Sequence, residues 1–287
     1  MVDGSAVLYE TVGAVARLTL NRPERLNAIS GALLAGVEQA VERANADDAV
    51  RVMVLRGAGR AFCAGYDLST APQQETDTQA RSGGVWDPVA DYRFMGRNVR
   101  TFMMLWESPK PVIAQVHGWC VGGGTDLALC SDLIFMAEDA RIGYPPARVW
   151  GVPTTAMWVY RLGLEHAKRV MLTGQPLDGR EAERLGLVSR ALPAAKLEAA
   201  VMDFARRLAT TPANQLTLHK LLVNQAYENM GLRTTQMFGT LFDGVARHTP
   251  EGLAWRDLAM REGYKEAVRR RDAPWGDYAA RPRDGEG

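Results

Sequence analysis

Three consecutive glycines, Gly122, Gly123 and Gly124, follow an apolar run at 111–116, and a carboxylate, Asp126, stands just beyond them. Glycines at a strand-to-helix turn let the backbone bend sharply and let a ligand approach the main chain closely. The first N–H groups of the following helix have no partner inside it, and the positive end of its dipole stands behind them. The pattern predicts a site for negative charge, either a standing anion or charge that develops during a reaction. Asp126 falls about one turn into a helix expected over 125–130. Helical side chains lean toward the N-terminus, so its carboxylate hangs over the same spot. At a helix N-terminus it is expected to stay ionised at neutral pH, better suited to accepting a proton or orienting water than to donating. The turn has neither the Lys-Ser/Thr ending of a phosphate-binding P-loop nor the spacing of a dinucleotide fingerprint.

The elements that must position this turn are legible around it. Residues 6–21 alternate and turn at Gly13, a hairpin pattern. Ser30 is a good N-cap for a helix whose apolar positions are Leu33, Leu34, Val37, Ala40 and Val41. A short buried strand is expected at 51–55, ending at Gly57, and another at 133–137. The stretch 69–87, rich in Gln, Thr, Ser and Gly, reads as a long loop, and 88–106 as a helix. Residues 141–153 read as irregular, with three prolines. Strands separated by helices up to about residue 190 predict an α/β core with largely parallel strands. Pro193 marks an expected boundary between an α/β core at 1–193 and a helical region at 194–287, which covers either its own core or a neighbouring subunit.

The chain has 287 residues, 47% hydrophobic and 23% charged, with a formal net charge of +1. That balance gives no electrostatic reason for nucleic acid or a membrane surface as partner, and no apolar run approaches the roughly 20 residues that span a bilayer. The first residues carry no secretory pattern. Cys63, Cys120 and Cys130 form neither metal-ligand spacing nor an even disulfide set, and His166, His219 and His248 show no ligand spacing, so no metal is expected. A reduced, cytoplasmic protein is the expectation.

Several segments together resemble the crotonase superfamily, the enoyl-CoA hydratase/isomerase group. Residues 20–28, Leu-Asn-Arg-Pro-Glu-Arg-Leu-Asn-Ala, are similar to its N-terminal signature, 52–68 to its first oxyanion segment, and the glycine turn to its second. Leu172-Thr-Gly174, Ala182 and Gly186-Leu-Val188 fit the later pattern. The resemblance implies a spiral of ββα turns with a helical C-terminal trimerisation region, a homotrimer or dimer of trimers, and an acyl-CoA substrate of the kind met in fatty acid metabolism. Coenzyme A enters as part of that substrate, with no separate cofactor.

The resemblance also implies roles. Two backbone N–H groups, of Tyr66 and Gly123, bind the thioester oxygen, each donor worth about 3 kcal/mol of barrier. Arg25, Leu26, Ala28, Ala64, Asp67 and Leu68 match segments that line the coenzyme. Arg25 is suited to a phosphate. Arg269, Arg270 and Arg271 read as a solvated helix end or a further phosphate contact. Of the two glutamates that handle water in the hydratases, the first falls at Asp126 and the second at Pro146. The dienoyl-CoA isomerase branch has an aspartate at the first position and two later acids, here Pro146 and Thr154.

A missing acid or base costs typically about 10²–10⁴-fold in rate, which argues against efficient water addition. The resemblance implies an acid at the second position in the simple isomerases too, so Pro146 also weakens that reading. Tyr144 is the candidate replacement, ahead of Arg148, Glu138 and Asp67, with Asp67 read first as a cap within its turn. His117 reads as structural. Cys63 has no evident base and reads as packing. Trp86, Met95, Met103, Met104, Trp150 and Trp158 read as core before acyl pocket. The leading expectation is a hydratase/isomerase-type acyl-CoA enzyme. Thioester hydrolysis, decarboxylation or retro-aldol cleavage over the same oxyanion hole, and a catalytically silent acyl-CoA-binding subunit, are the alternatives.

Overall fold

The alternating residues near the N-terminus form the expected hairpin. Strand β1 (Val7–Val12) pairs antiparallel with β2 (Val15–Leu20) across Gly13. Ser30 caps helix α1 (Gly31–Ala46), its Oγ accepting from the Leu33 amide, and Leu33, Val37, Ala40 and Val41 are buried. The computed structural model describes residues 5–69 and 85–278. Most of the loop expected at 69–87 therefore lies outside the described residues.

From β2 onward the main sheet is parallel. Strands β3 (Val52–Gly57), β4 (Val112–Val116), β6 (Leu133–Ala137) and β9 (Arg190–Leu192) complete a six-stranded sheet in the order β1-β2-β3-β4-β6-β9. Every residue of β4 is buried, as expected of a continuous apolar run in a parallel sheet. Each buried Val or Ile of this kind stabilises the fold by about 1.5–3 kcal/mol.

A second sheet of three short strands lies beside the first: β5 (Trp119–Val121), β7 (Arg141–Gly143) and β8 (Leu177–Asp178). The alternation of the two sheets gives the chain its turns. β4 runs into β5 and then helix α3 (Gly123–Leu129), and β6 runs into β7 and a 3₁₀ turn at Pro145–Arg148. One turn earlier, Cys63 bridges in parallel to Cys120, so the segment after β3 occupies the same layer. The sequence reading missed β5 and β7. Three residues give no periodicity, and their pairing partners lie far along the chain.

Helix α2 (Pro88–Glu107) starts at Asp87, whose carboxylate accepts from the Val89 and Ala90 amides. Helix α4 (Met157–Thr173) is broken at Gly163, and α5 (Gly179–Arg184) follows. The helices expected after Pro193 begin with α6 (Ala194–Leu208), which packs on β3, β4 and β6 and places Leu197, Val201 and Ala205 in the main core. Then come α7 (Ala213–Asn229), α8 (Leu232–Arg247), α9 (Pro250–Glu262) and α10 (Tyr264–Asp272). Helix α8 lies along α2. Helices α9 and α10 form a smaller apolar cluster of Trp255, Ala259 and Ala267 with Leu68 and Trp150. No helix among the described residues is long and apolar enough to cross a membrane.

Candidate active site

The second layer brings the two glycine segments together. Phe62 N donates to His117 O, Cys63 N to Trp119 O, and Val121 N back to Cys63 O, at 2.9, 3.0 and 3.1 Å. Residues 62–65 therefore run beside 117–123. The approach is backbone against backbone. A Cβ on Gly124 would collide with the Cys63 carbonyl oxygen, and one on Gly65, where φ is +90°, would meet Val121 O at 2.9 Å. Only glycine fits there.

The neighbouring amides are already engaged. Ile29 N donates to Gly65 O, Asp67 N to Ile29 O, Gly122 N to Gly143 O, and Thr125 N to Gly122 O. Between them stand the amides of Tyr66 and Gly123, the latter the first residue of α3, which has no acceptor within its own helix. Thr125 Oγ1 donates to Gly122 O at 2.7 Å and accepts from Trp158 Nε1 at 3.1 Å, fixing the start of that helix.

Both segments line one large cavity, with about 1480 Å³ of free space including its open part. Asp126, Tyr144 and Pro146 are on its wall, with Ala64, Asp67 and Leu68. Trp86, Met95 and Trp150 of the Trp/Met set line it too, whereas Met103, Met104 and Trp158 do not.

Arg25, Leu26 and Ala28 are not on the wall. Arg25 is exposed at the end of a 3₁₀ turn, the Leu26 carbonyl accepts from Ala64 N, and the Ala28 carbonyl accepts from Arg22. The cation beside this part of the cavity is Arg22, 2.8 Å from Asp67. Asp67 also accepts from the amide and hydroxyl of Ser69, and these bonds hold its carboxyl below the usual range against the cost of burial.

Asp126 corrects an expectation. It is 1% exposed and accepts from both the hydroxyl and the amide of Thr155, yet burial pushes its carboxyl up to about 7. The helix N-terminus favours the anion locally, but desolvation outweighs it. The group therefore exchanges its proton near neutral pH instead of standing ionised. Burial also raises the Tyr144 and Tyr66 hydroxyls well above the ordinary tyrosine value, keeping both neutral.

The remaining candidates sit elsewhere. His117 bonds Gly59 O through Nε2 at 2.9 Å, off the cavity wall, and burial lowers its pKa. Cys63 is fully buried, its thiol pushed up to about 12. Arg148 is buried and pairs with Asp272 at 2.9 Å and with Asp277. Glu138 pairs with Arg180. Arg269 and Arg270 pair with Glu266, and Arg271, which reaches the cavity, pairs with Asp272.

Sequence reasoning missed a further acidic group on the wall. Asp243 of α8 is 6% exposed. Its Oδ1 accepts from Val152 N and its Oδ2 from Arg247 Nε, both at 3.1 Å. Arg247 in turn donates to both oxygens of Asp91, on α2, at 2.8 Å. The only sequence signal was an Asp–Arg pair at i,i+4 in a helical stretch, which is common on solvated faces.

A two-layer α/β spiral with paired glycine segments opening on a long cavity matches known proteins. The chain belongs to the enoyl-CoA hydratase/isomerase family, whose profile matches residues 10–277. A crystal structure of enoyl-CoA hydratase from Mycobacterium smegmatis superposes with a TM-score of 0.90 at 44% identity, covering 95% of each chain. An enoyl-CoA hydratase/isomerase structure from Xanthobacter autotrophicus Py2 gives 0.83 at 31% identity, covering 94% of this chain and 98% of its own. The 1,2-epoxyphenylacetyl-CoA isomerase of Escherichia coli is 32% identical over 232 residues, which is 78% of this chain and 83% of that one. The fold is thus the crotonase type expected from the sequence.

Proposed function

We propose that this acyl-CoA enzyme of the hydratase/isomerase type binds the thioester oxygen between the amides of Tyr66 and Gly123 and moves a proton at the adjacent carbon with Asp126. The observation that carries the reading is the backbone contact between 65–66 and 122–123, beside two amides at the cavity wall with Asp126 one turn into the same helix. Fixed N–H donors stabilise an oxyanion in proportion to its charge, so they favour the enolate over the thioester. Asp126 as carboxylate takes the Cα proton, the electron pair moves onto the thioester oxygen, and the carboxyl returns the proton. Its carboxyl, pushed up to about 7, is suited to both directions at physiological pH. Proton transfer is favoured over water addition because Pro146, where the hydratases carry a second acid, lines the wall with Pro145 and Trp150.

The test is deuterium uptake at Cα of saturated acyl-CoAs of varied length in D₂O, followed by mass spectrometry. The enzyme should catalyse exchange, and Asp126→Asn should lose about 10²–10⁴-fold of it. No exchange with any chain length, or full exchange in Asp126→Asn, would overturn the reading. Release of free CoA or carbon dioxide would favour hydrolysis or decarboxylation, and tight binding without turnover would leave a silent subunit. Exchange should persist in EDTA-dialysed protein, because the amides and one carboxyl need no cofactor beyond the coenzyme A of the substrate.

We further propose a homotrimer or dimer of trimers built on α7 and α8. Leu218, Leu222, Phe238 and Phe242 are exposed by about half or more on these helices, a larger apolar surface than solvent alone favours. Light scattering at micromolar concentration should give a multiple of three chains, and a monomer would contradict this. The free cysteines are compatible with the reducing cytoplasm, the proposed location.

A further inference from the structure

We propose that Asp243 is the second proton carrier of this site, acting on a carbon farther along the acyl chain than the one served by Asp126. The inference rests on the reading of Asp126 and the amide pair given above. Asp243 reaches the same cavity from α8, beside Tyr144 and Pro146. A Cβ on Gly151 would lie 3.0 Å from Pro146 Cβ, 3.3 Å from Asp243 Oδ1 and 3.4 Å from the Tyr144 hydroxyl, so these three groups converge.

One short segment holds both acids. Val152 N donates to Asp243, and three residues later Thr155 donates to Asp126 through its amide and hydroxyl. Between them Thr154 lines the cavity, 3% exposed, with its Oγ1 unpartnered. A buried hydroxyl without a partner costs free energy unless a bound group meets it, and it points to an oxygen of ligand or water at this place.

The two acids differ in what surrounds them. Asp243 faces Arg247 on its own helix, Asp91 from α2, and Tyr144 and Asp126 across the cavity. Burial and Asp91 raise its pKa, and the Arg247 guanidinium and the Val152 amide lower it. Asp126 has no cation among the groups that shift it, only Thr155, and the Asp243 charge raises it further. Burial still leaves the Asp243 carboxyl above its ordinary value, but the ion pair with Arg247 at 3.1 Å favours its carboxylate form, whereas no cation is among the groups that shift Asp126. Unequal environments of this kind divide base from acid.

For a 2-enoyl thioester, Asp243 takes a proton from the γ carbon. The electron pair shifts through the double bond onto the thioester oxygen, and Asp126 delivers its proton to Cα. The product is the 3-enoyl thioester, with Asp243 protonated and Asp126 ionised, the state that runs the reverse reaction. A proton exchanged with solvent resets both.

The experiment compares two readouts on the full-length protein: double-bond migration between 2-enoyl-CoA and 3-enoyl-CoA, and Cα deuterium exchange of saturated acyl-CoA. Asp243→Asn keeps an acceptor for Val152 N. It should lose about 100-fold or more in migration and less than about tenfold in exchange, and Asp126→Asn should lose both. If Asp243→Asn migrates double bonds at the wild-type rate, or if the wild type exchanges Cα protons but never migrates a double bond, this proposal fails and the reading of Asp126 stands. If the wild type does not exchange Cα protons, that reading fails first. Should Asp243→Asn not fold, Asp243→Glu serves instead. It keeps the charge beside Arg247 but moves the carboxylate by a methylene, and it should again lose migration more than exchange; equal losses would overturn the proposal.

Discussion

A Cβ on Gly65 would stand 3.5 Å from the amide nitrogen of Gly123 and 2.9 Å from the Val121 carbonyl oxygen. The two segments that carry the proposed donor amides are thus held at this point by contact between main chains. Gly65→Ala adds a Cβ at a φ of +90° and wedges the segments apart. The expected result is a loss of about 10²–10³-fold in Cα exchange, with stability lowered by about 1–3 kcal/mol. Exchange kinetics and urea titration on the same variant measure both. Wild-type exchange in a folded Gly65→Ala would remove the amide pair from the mechanism.

Thr155 tempers the proton affinity that burial gives Asp126. Its hydroxyl and amide both donate to the carboxylate and lower the pKa, against the desolvation that raises it to about 7. Thr155→Val removes the hydroxyl at nearly constant volume. A hydrogen bond to a charged group contributes about 1.5–3 kcal/mol, so the half-maximal pH of Cα exchange should rise by about 1–2 units from near 7. An unmoved pH profile would mean that another group limits the rate.

Asp126 also makes stability depend on pH in a direction opposite to most carboxylates. Its folded pKa, about 7, lies above the ordinary 3.8. Below about pH 4 both folded and unfolded states hold the proton and nothing is lost. As pH rises from there through 7, the unfolded chain releases the proton before the folded one, so the stability contribution of this group falls away. Asp126→Asn should therefore exceed wild type in stability at pH 8 by on the order of 2–4 kcal/mol, with the difference shrinking toward pH 4. Denaturant titrations at pH 4.5, 6 and 8 give the comparison. A difference that grows on acidification would contradict the sign.

The Arg148 clasp is a structural prediction. Its side chain and that of Asp272 are 4% and 0% exposed, and it also bonds Asp277 and the Thr173 carbonyl. Arg148→Met leaves Asp272 to Arg271 alone and should cost about 3–5 kcal/mol, because a buried carboxylate loses a partner. Asp272 and Tyr278 both line the cavity, so KM for acyl-CoA should rise while kcat changes less. A lower kcat at constant KM would instead make Arg148 part of the chemistry.

What the sequence made legible was local. The Ser30 cap, the Gly13 hairpin and the glycine turn each rest on residues a few positions apart, and each was readable. The Asp91–Arg247–Asp243 chain was not, because it exists only where α2 meets α8, 156 positions apart at Arg247 and Asp91. The same limit explains Asp126. Its helix-start position was visible and argued for the anion, but its burial, which depends on the whole fold, decides the matter. Strands β5 and β7 escaped because their order comes from partners across the layer.

The clasp joins positions 124 apart, Arg148 and Asp272. During synthesis, the parallel sheet has its strands through β9 some eighty residues before Asp272 emerges. For that interval the aromatic lining of the cavity lacks its last wall and stands open to water, and such half-covered apolar surface is where multi-element chains stray into aggregates. Ligand can reward folding only after the last clasp closes. Acyl-CoA should therefore slow the loss of finished protein far more than it speeds the arrival of new protein.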